Sequence, residues 1–285
     1  MTEKIITLKD RAILEIAGGD RKKFLQGLIT NDVNKASEKE LIFTVMLNAQ
    51  GRFLYDFFIF ERGEALIIDC LSSRRDEIFK KLNFYKLRSE VTISKNDELL
   101  ACQSYAEQKH STAFDLTRVS QVSHDFLDPR HEKLGHRIYI SKSSVKNFVV
   151  KDDSLYHFQR ISNKIPESEL DLTYEKSFIL EFGFDDLHAI DYQKGCYIGQ
   201  ELTARTHYLG EIRKKIFHVK ITDSTSPEKN SEITCEGKSV GMILSTILHE
   251  NTLHALALIK LQTDKNFDEL QSNLECLGQK ILIIS

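Results

Sequence analysis

The sequence predicts an α+β protein that ends in a small β-barrel, and two observations carry this. Within residues 46–98 the pattern runs strand, strand, helix, strand over about fifty residues, which is what an open layer needs when one helix covers one sheet face. From residue 212 the pattern changes to short strands parted by polar turns over about eighty residues, with 267–274 the one candidate helix.

Each element has a local cause. Residues 12–16 read as a short strand ending at Gly18-Gly19. Asp20 then suits an N-cap for a helix with Phe24, Leu25, Leu28 and Ile29 on one face, stopping at Thr30-Asn31-Asp32, whose short polar side chains form turns. Residues 41–47, 52–60 and 65–71 read as antiparallel strands with turns at 48–51 and 62–64. Phe53, Tyr55, Phe57 and Ile59 share one side of the second strand; Asp56 lies on the other and needs a partner if it is buried. Ser72 or Ser73 caps a helix marked by Ile78, Phe79, Leu82 and Tyr85, and 91–93 is a further strand. Residues 99–105 and 137–140 read as strands, with a turn at Asp128-Pro129-Arg130. Asp152-Asp153-Ser154 caps a helix whose Leu155, Phe158, Ile161 and Ile165 face inward, with Pro166 beyond its end. A short helix at 202–208 stops at Gly210, and strands follow at 216–221, 239–247, 253–259 and 280–284.

The length of 285 residues exceeds a usual single core, so two or three domains are expected. With 41% hydrophobic and 28% charged residues the composition is that of a soluble globular protein. A net charge of −3 gives no overall pull toward nucleic acid or an anionic membrane. Between 194 and 220, however, six basic residues (Lys194, Arg205, Arg213, Lys214, Lys215, Lys220) face two acidic ones (Glu201, Glu211). That local excess marks either an anion-facing surface or a solvated barrel edge. Five cysteines without a C-x-x-C pair argue against a disulfide framework, a zinc site or a cluster held by this chain alone. The first sixteen residues carry no apolar signal core and no Arg-rich transit pattern, and no run reaches the ~18 apolar residues of a membrane span. A cytoplasmic protein is expected.

One stretch stands apart. Lys194-Gly195-Cys196-Tyr197-Ile198-Gly199-Gln200-Glu201 sets a thiol, an ammonium, a phenol, a carboxamide and a carboxylate among two glycines. Lys194 favours a Cys196 thiolate if the fold joins them; the plainer reading is a glycine turn with a small buried cysteine.

This stretch, with Arg205, resembles the signature of the YgfZ family, folate-binding relatives of the glycine-cleavage aminomethyltransferase that assist iron–sulfur enzyme maturation. Mitochondrial iron–sulfur assembly factors of the same family carry a similar stretch. Phe24-Leu25-Gln26-Gly27, Thr30-Asn31-Asp32-Val33, Gln50-Gly51-Arg52-Phe53, Asp56, Leu87-Arg88-Ser89, Asp128-Pro129-Arg130 and Leu134-Gly135-His136-Arg137 follow the family's order. The resemblance implies an aminomethyltransferase-like multi-domain fold, with a ferredoxin-like layer and a C-terminal β-barrel around a central opening. Its parts would be a discontinuous folate-binding domain at 1–45 and 99–205, the ferredoxin-like layer at 46–98 and the barrel at 206–285. One departure is local: Asn163-Lys164-Ile165-Pro166-Glu167 stands where the family often has Gly-Ile-Pro-Glu.

The resemblance further implies a tetrahydrofolate-type ligand, with Cys196 and Lys194 as the reactive pair. Gln200 and Glu201 would read the pterin edge, or serve helix-start chemistry. Arg205 would bind the folate carboxylates, or clamp Glu201. Tyr197 would stack on the pterin, or pack as core. Asn31, Asp32 and Asp56 are weaker ligand candidates, turn formation being the plainer role of the first two. The implied partners are iron–sulfur client or assembly proteins, with no membrane. A folate-dependent aminomethyl or one-carbon transferase is the alternative. Direct tRNA binding through the basic run ranks third.

Overall fold

The computed structural model describes residues 4–105, 122–143, 149–150, 153–222, 225–261 and 273–285. The candidate helix at 267–274 lies almost wholly outside them; its last residue, Leu274, belongs to a strand. The chain divides into two units: Met1–Ala49, Leu54–Asp153 and Leu187–Gln200 make the first, and Gln50–Phe53, Ser154–Asp186 and Glu201–Ser285 the second.

The first unit holds β1 (Lys4–Thr7), β2 (Arg11–Ala17), α1 (Arg21–Gln26), β3 (Ile42–Leu47), β4 (Phe53–Arg62, its first residue in the second unit), β5 (Ala65–Leu71), α2 (Arg75–Lys86), β6 (Thr92–Asn96), β7 (Leu99–Tyr105), β8 (Val122–Leu127), β9 (His136–Ser141) and β10 (Val149–Val150). Two five-stranded sheets result, in the orders β3-β4-β5-β2-β6 and β10-β1-β7-β9-β8. β3 and β5 are buried along their whole length, and β4 from Phe53 to Phe60. Covered on both faces, such strands read as continuous apolar runs rather than as alternation. Both faces of β4 are therefore core, the side of Asp56 as well as that of Phe53, Tyr55, Phe57 and Ile59.

The sheets meet through a buried ionic cluster. Asp69 of β5 accepts from Arg11 Nε at 2.7 Å on one oxygen, and from Arg137 Nη2 at 2.6 Å and Tyr139 Oη at 3.0 Å on the other. Arg11 also reaches Asp56 at 3.0 Å, so the buried carboxylate of β4 does have its partner. The Arg137 guanidinium lies 3.6 Å from the Phe58 ring centroid. Burial alone would raise the Asp69 carboxyl, but the two arginines hold it below the usual carboxylate range.

The expected Asp20 cap is not made. Its Oδ2 instead accepts the Glu90 N–H at 2.9 Å, tying the start of α1 to the segment after α2. On α2, Ile78 and Leu82 are buried as the spacing predicts.

The second unit holds α3 (Ser154–Ser162), α4 (Ser168–Asp171), α5 (Gln200–Leu209, its first residue in the first unit) and β11 (Lys214–Ile221), β12 (Glu232–Cys235), β13 (Lys238–His249), β14 (Thr252–Lys260), β15 (Leu274–Cys276) and β16 (Gln279–Ile283). The six strands close into a barrel in the order β11-β14-β13-β12-β15-β16, as the strand-rich terminus predicts. No helix among the described residues is long and apolar enough to cross a membrane.

On α3 the buried face is Tyr156, Arg160 and Ile161 rather than a purely apolar stripe. Arg160 donates to Asp171 at 2.8 Å and to Ser245 of β13 at 3.0 Å, pinning the helix to the barrel. The helix ends in a Schellman arrangement: Ile165 N–H bonds Arg160 O at 2.8 Å and Lys164 N–H bonds Ile161 O at 3.0 Å. Lys164, not Asn163, takes the left-handed position, at φ 56°. Lys164→Gly is expected to raise stability by about 0.5–1 kcal/mol, read by urea unfolding, because an L-residue is strained there and glycine is not.

In the barrel, His218 Nε2 and His254 Nδ1 share a hydrogen bond of 2.8 Å, which requires one ring to be an acceptor and hence neutral. Burial, and then the neighbouring His254, Lys220 and Lys164, push His218 from 6.5 down to about 4. The unfolded chain therefore takes up this proton first as the pH falls. The contribution is present above pH 6.5 and is lost progressively toward pH 4. Between those limits the wild type is expected to lose about 2–3 kcal/mol more stability than His218→Gln, measured by urea unfolding across the range.

Candidate functional site

The motif loop is built against the end of α1. Asp191 begins it: its N–H bonds Thr30 O at 3.0 Å, and its Oδ1 accepts the N–H groups of Gln193 at 2.7 Å and Lys194 at 3.2 Å. Its other oxygen pairs with Lys35 at 2.9 Å. Burial would raise this carboxyl, but Lys35 and the two amides bring it down. Sequence reasoning passed over Asp191, although an Asp shortly before a glycine-containing run is a signal for an Asx turn.

Lys194 is the centre of the arrangement. Its Nζ donates to the carbonyls of Gln26 at 2.7 Å, Ile29 at 2.7 Å and Asn31 at 2.8 Å. An ammonium has three N–H donors, so these carbonyls use all of them. Ile198 N–H adds a bond to Gly27 O at 3.2 Å. Burial pushes Lys194 down to about 8, with Asp32 and Asp191 pulling it back, so it is cationic at pH 7. No donor is left for Cys196. The expected pairing of Lys194 with the Cys196 thiol is replaced by a clamp on backbone carbonyls.

Cys196 lies exposed on the clamped loop. Of the two glycines in the motif, Gly199 needs its freedom, at φ 83°. A Cβ on Gly195 would meet nothing within 4 Å, so the ground beside the thiol is open. The other four cysteines differ: Cys70, Cys102 and Cys276 are buried and Cys235 is partly so. Burial pushes the Cys70 thiol up to about 12 and Cys102 up to about 11.

The remaining candidates separate. Tyr197 is buried, with the Lys194 ammonium 5.2 Å from its ring centroid. Asn31 is spent inside the unit: its Nδ2 donates to Phe43 O and His188 O, and its Oδ1 accepts the Asp32 N–H. Asp32 accepts from Gln26 and Asn34 on a single oxygen. Asp56 is held by Arg11. In the second unit Glu201 and Arg205 are exposed on α5, and no ion pair joins them among the described residues, so of the two readings of Arg205 the clamp on Glu201 is not made. Gln200, half-buried, opens that helix.

The fold is that of an aminomethyltransferase. The chain is similar over 99% of its length to the glycine cleavage system aminomethyltransferase T of Bartonella henselae, with a TM-score of 0.76, 10% identity and 84% of that chain covered. No family model matches the chain. Among curated proteins it is 31% identical over 282 residues to the mitochondrial iron–sulfur cluster assembly factor IBA57 of Mus musculus, covering 90% of this chain and 78% of that protein. It is 30% identical over 256 residues to the Homo sapiens protein of the same name, covering 82% of this chain and 72% of that one. The chain therefore belongs to the family of the iron–sulfur cluster assembly factor IBA57. A further relative, the IBA57 homologue of Dictyostelium discoideum, is 30% identical over 75% of this chain, and the match spans 62% of its own length. These relatives are mitochondrial proteins, which overturns the expectation of a cytoplasmic one drawn from the N-terminal residues.

Proposed function

We propose that this chain acts in iron–sulfur cluster assembly, in the mitochondrial setting for which its relatives are named, with Cys196 as its working group. The observation that carries the reading is the contrast among five cysteines: the exposed one sits on a loop fixed by the Lys194 clamp. A single thiolate cannot hold a cluster, so Cys196 would supply one ligand to iron whose other ligands come from a partner protein. The partners are then iron–sulfur assembly or client proteins.

The resemblance to YgfZ adds a tetrahydrofolate-type ligand. Asn31 does not fit that role, since its side-chain donors and acceptor are engaged within the unit. Glu201 and Arg205 do fit it: a carboxylate accepts from pterin N–H groups, and a guanidinium takes carboxylates in bidentate fashion. When bound, the folate would supply a one-carbon carrier.

Depleting the chain is expected to lower the activity of iron–sulfur enzymes while leaving enzymes without clusters unchanged; equal losses in both groups would sink the reading. For the ligand, calorimetric titration with tetrahydrofolate should weaken at least ~10-fold in Arg205→Ala. Unchanged affinity would remove Arg205 from the site.

A further inference from the structure

A groove of about 820 Å³ opens between the start of α1 and the segment after α2, lined chiefly by Lys23, Phe24, Leu28, Tyr85, Leu87 and Arg88. Three features mark it as more than a surface irregularity. Leu87 is 87% exposed although its backbone sits at φ 46° and ψ −110°, where an L-residue is strained. Strain that holds an apolar side chain out in solvent contributes nothing to the core. Beside it Phe84 is 76% exposed, its ring meeting Tyr85 edge-on at 5.7 Å. Lys23 and Arg88 pair with no carboxylate among the described residues, and the one acid in the lining, Asp20, has an oxygen committed to the Glu90 N–H. The groove thus offers an apolar floor and two unanswered positive charges.

We propose that this groove docks an acidic segment of a partner protein, with its carboxylates on Lys23 and Arg88 and an apolar side chain set against Tyr85, Leu28 and Leu87. The charges choose an acidic occupant. The exposed Phe84 ring and Leu87 choose a macromolecule over a small anion, because a ligand confined to the groove would leave Phe84 uncovered, whereas a protein surface buries it as an interface does. Two cations without a longer basic track do not make a nucleic-acid face. The proposal stands apart from the reading of Cys196, so Cys196→Ser should leave docking intact.

The test is a selection of displayed random dodecapeptides on the full chain, followed by titration of the synthesised winners. Peptides with Asp or Glu flanking an aromatic or aliphatic anchor are expected. Their Kd should weaken at least ~10-fold in the Lys23→Glu/Arg88→Glu double variant, whose changes lie on exposed side chains. Leu87→Gly supplies a second arm. It relieves the left-handed strain, so its Tm should rise while peptide affinity falls. A rise in Tm with unchanged affinity would make Leu87 a structural residue and overturn the proposal. So would winners without acidic residues, affinity indifferent to the charge reversal, or self-association of the chain abolished by it.

Discussion

Replacing Asp69 by asparagine is expected to destabilise the first unit by about 3–5 kcal/mol, because the change leaves buried arginine charge uncompensated. The carboxamide would keep the shape of the carboxylate but return no charge to Arg11 or Arg137. Both guanidiniums are buried, and the bonds from Arg137 converge on Asp69 alone among the ion pairs described for it. Arg11 retains Asp56, so Asp56→Asn should cost less than Asp69→Asn. The sequence contains no tryptophan, so circular dichroism and amide exchange along β2, β5 and β9 are the suitable probes. With two units, a single unfolding transition is not assumed, and exchange reports the first unit by itself.

The second large effect concerns Lys194→Met. The methionine fills similar space but leaves the carbonyls of Gln26, Ile29 and Asn31 without their donor. Bonds from a charged donor are worth about 1.5–3 kcal/mol each, and water can reach part of this site, so a local cost of about 2–4 kcal/mol is expected. Lys194→Arg should not rescue it, since a planar guanidinium cannot aim three donors from one nitrogen. Faster amide exchange at 27–32 and 195–199 would follow. Alkylation of Cys196 by iodoacetamide at pH 7 should speed up as the loop loosens. A Lys194 that instead promoted the thiolate directly would give slower alkylation in the same variant.

Much of this was legible in the sequence because the relevant signals are local. The apolar runs of β3 and β5 announce buried strands, and the short strands after Ile212 announce the barrel. The need of Asp56 for a partner followed from its aromatic neighbours. What was hidden depends on distant chain or on the backbone. Lys194 bonds carbonyls 163 to 168 positions away, and a carbonyl leaves no mark on residue identity. Arg160 lies outside the apolar set that marks its helix, and its burial rests on the distant Asp171 and Ser245. Asp20 has the chemistry of a cap but found the Glu90 amide instead. At Lys164 the fold imposed a left-handed turn on a residue that does not prefer it.

Cys196, an exposed thiol presented by a fixed loop, is the group on which the proposed iron–sulfur role depends. The most direct measurement is the activity of iron–sulfur enzymes in cells whose own copy of this chain is replaced by Cys196→Ser. Because the side chain is exposed, the variant should match the wild type in abundance and Tm. Iron–sulfur enzyme activity is predicted to fall to the level seen without the chain. Wild-type activity at equal abundance would contradict that role.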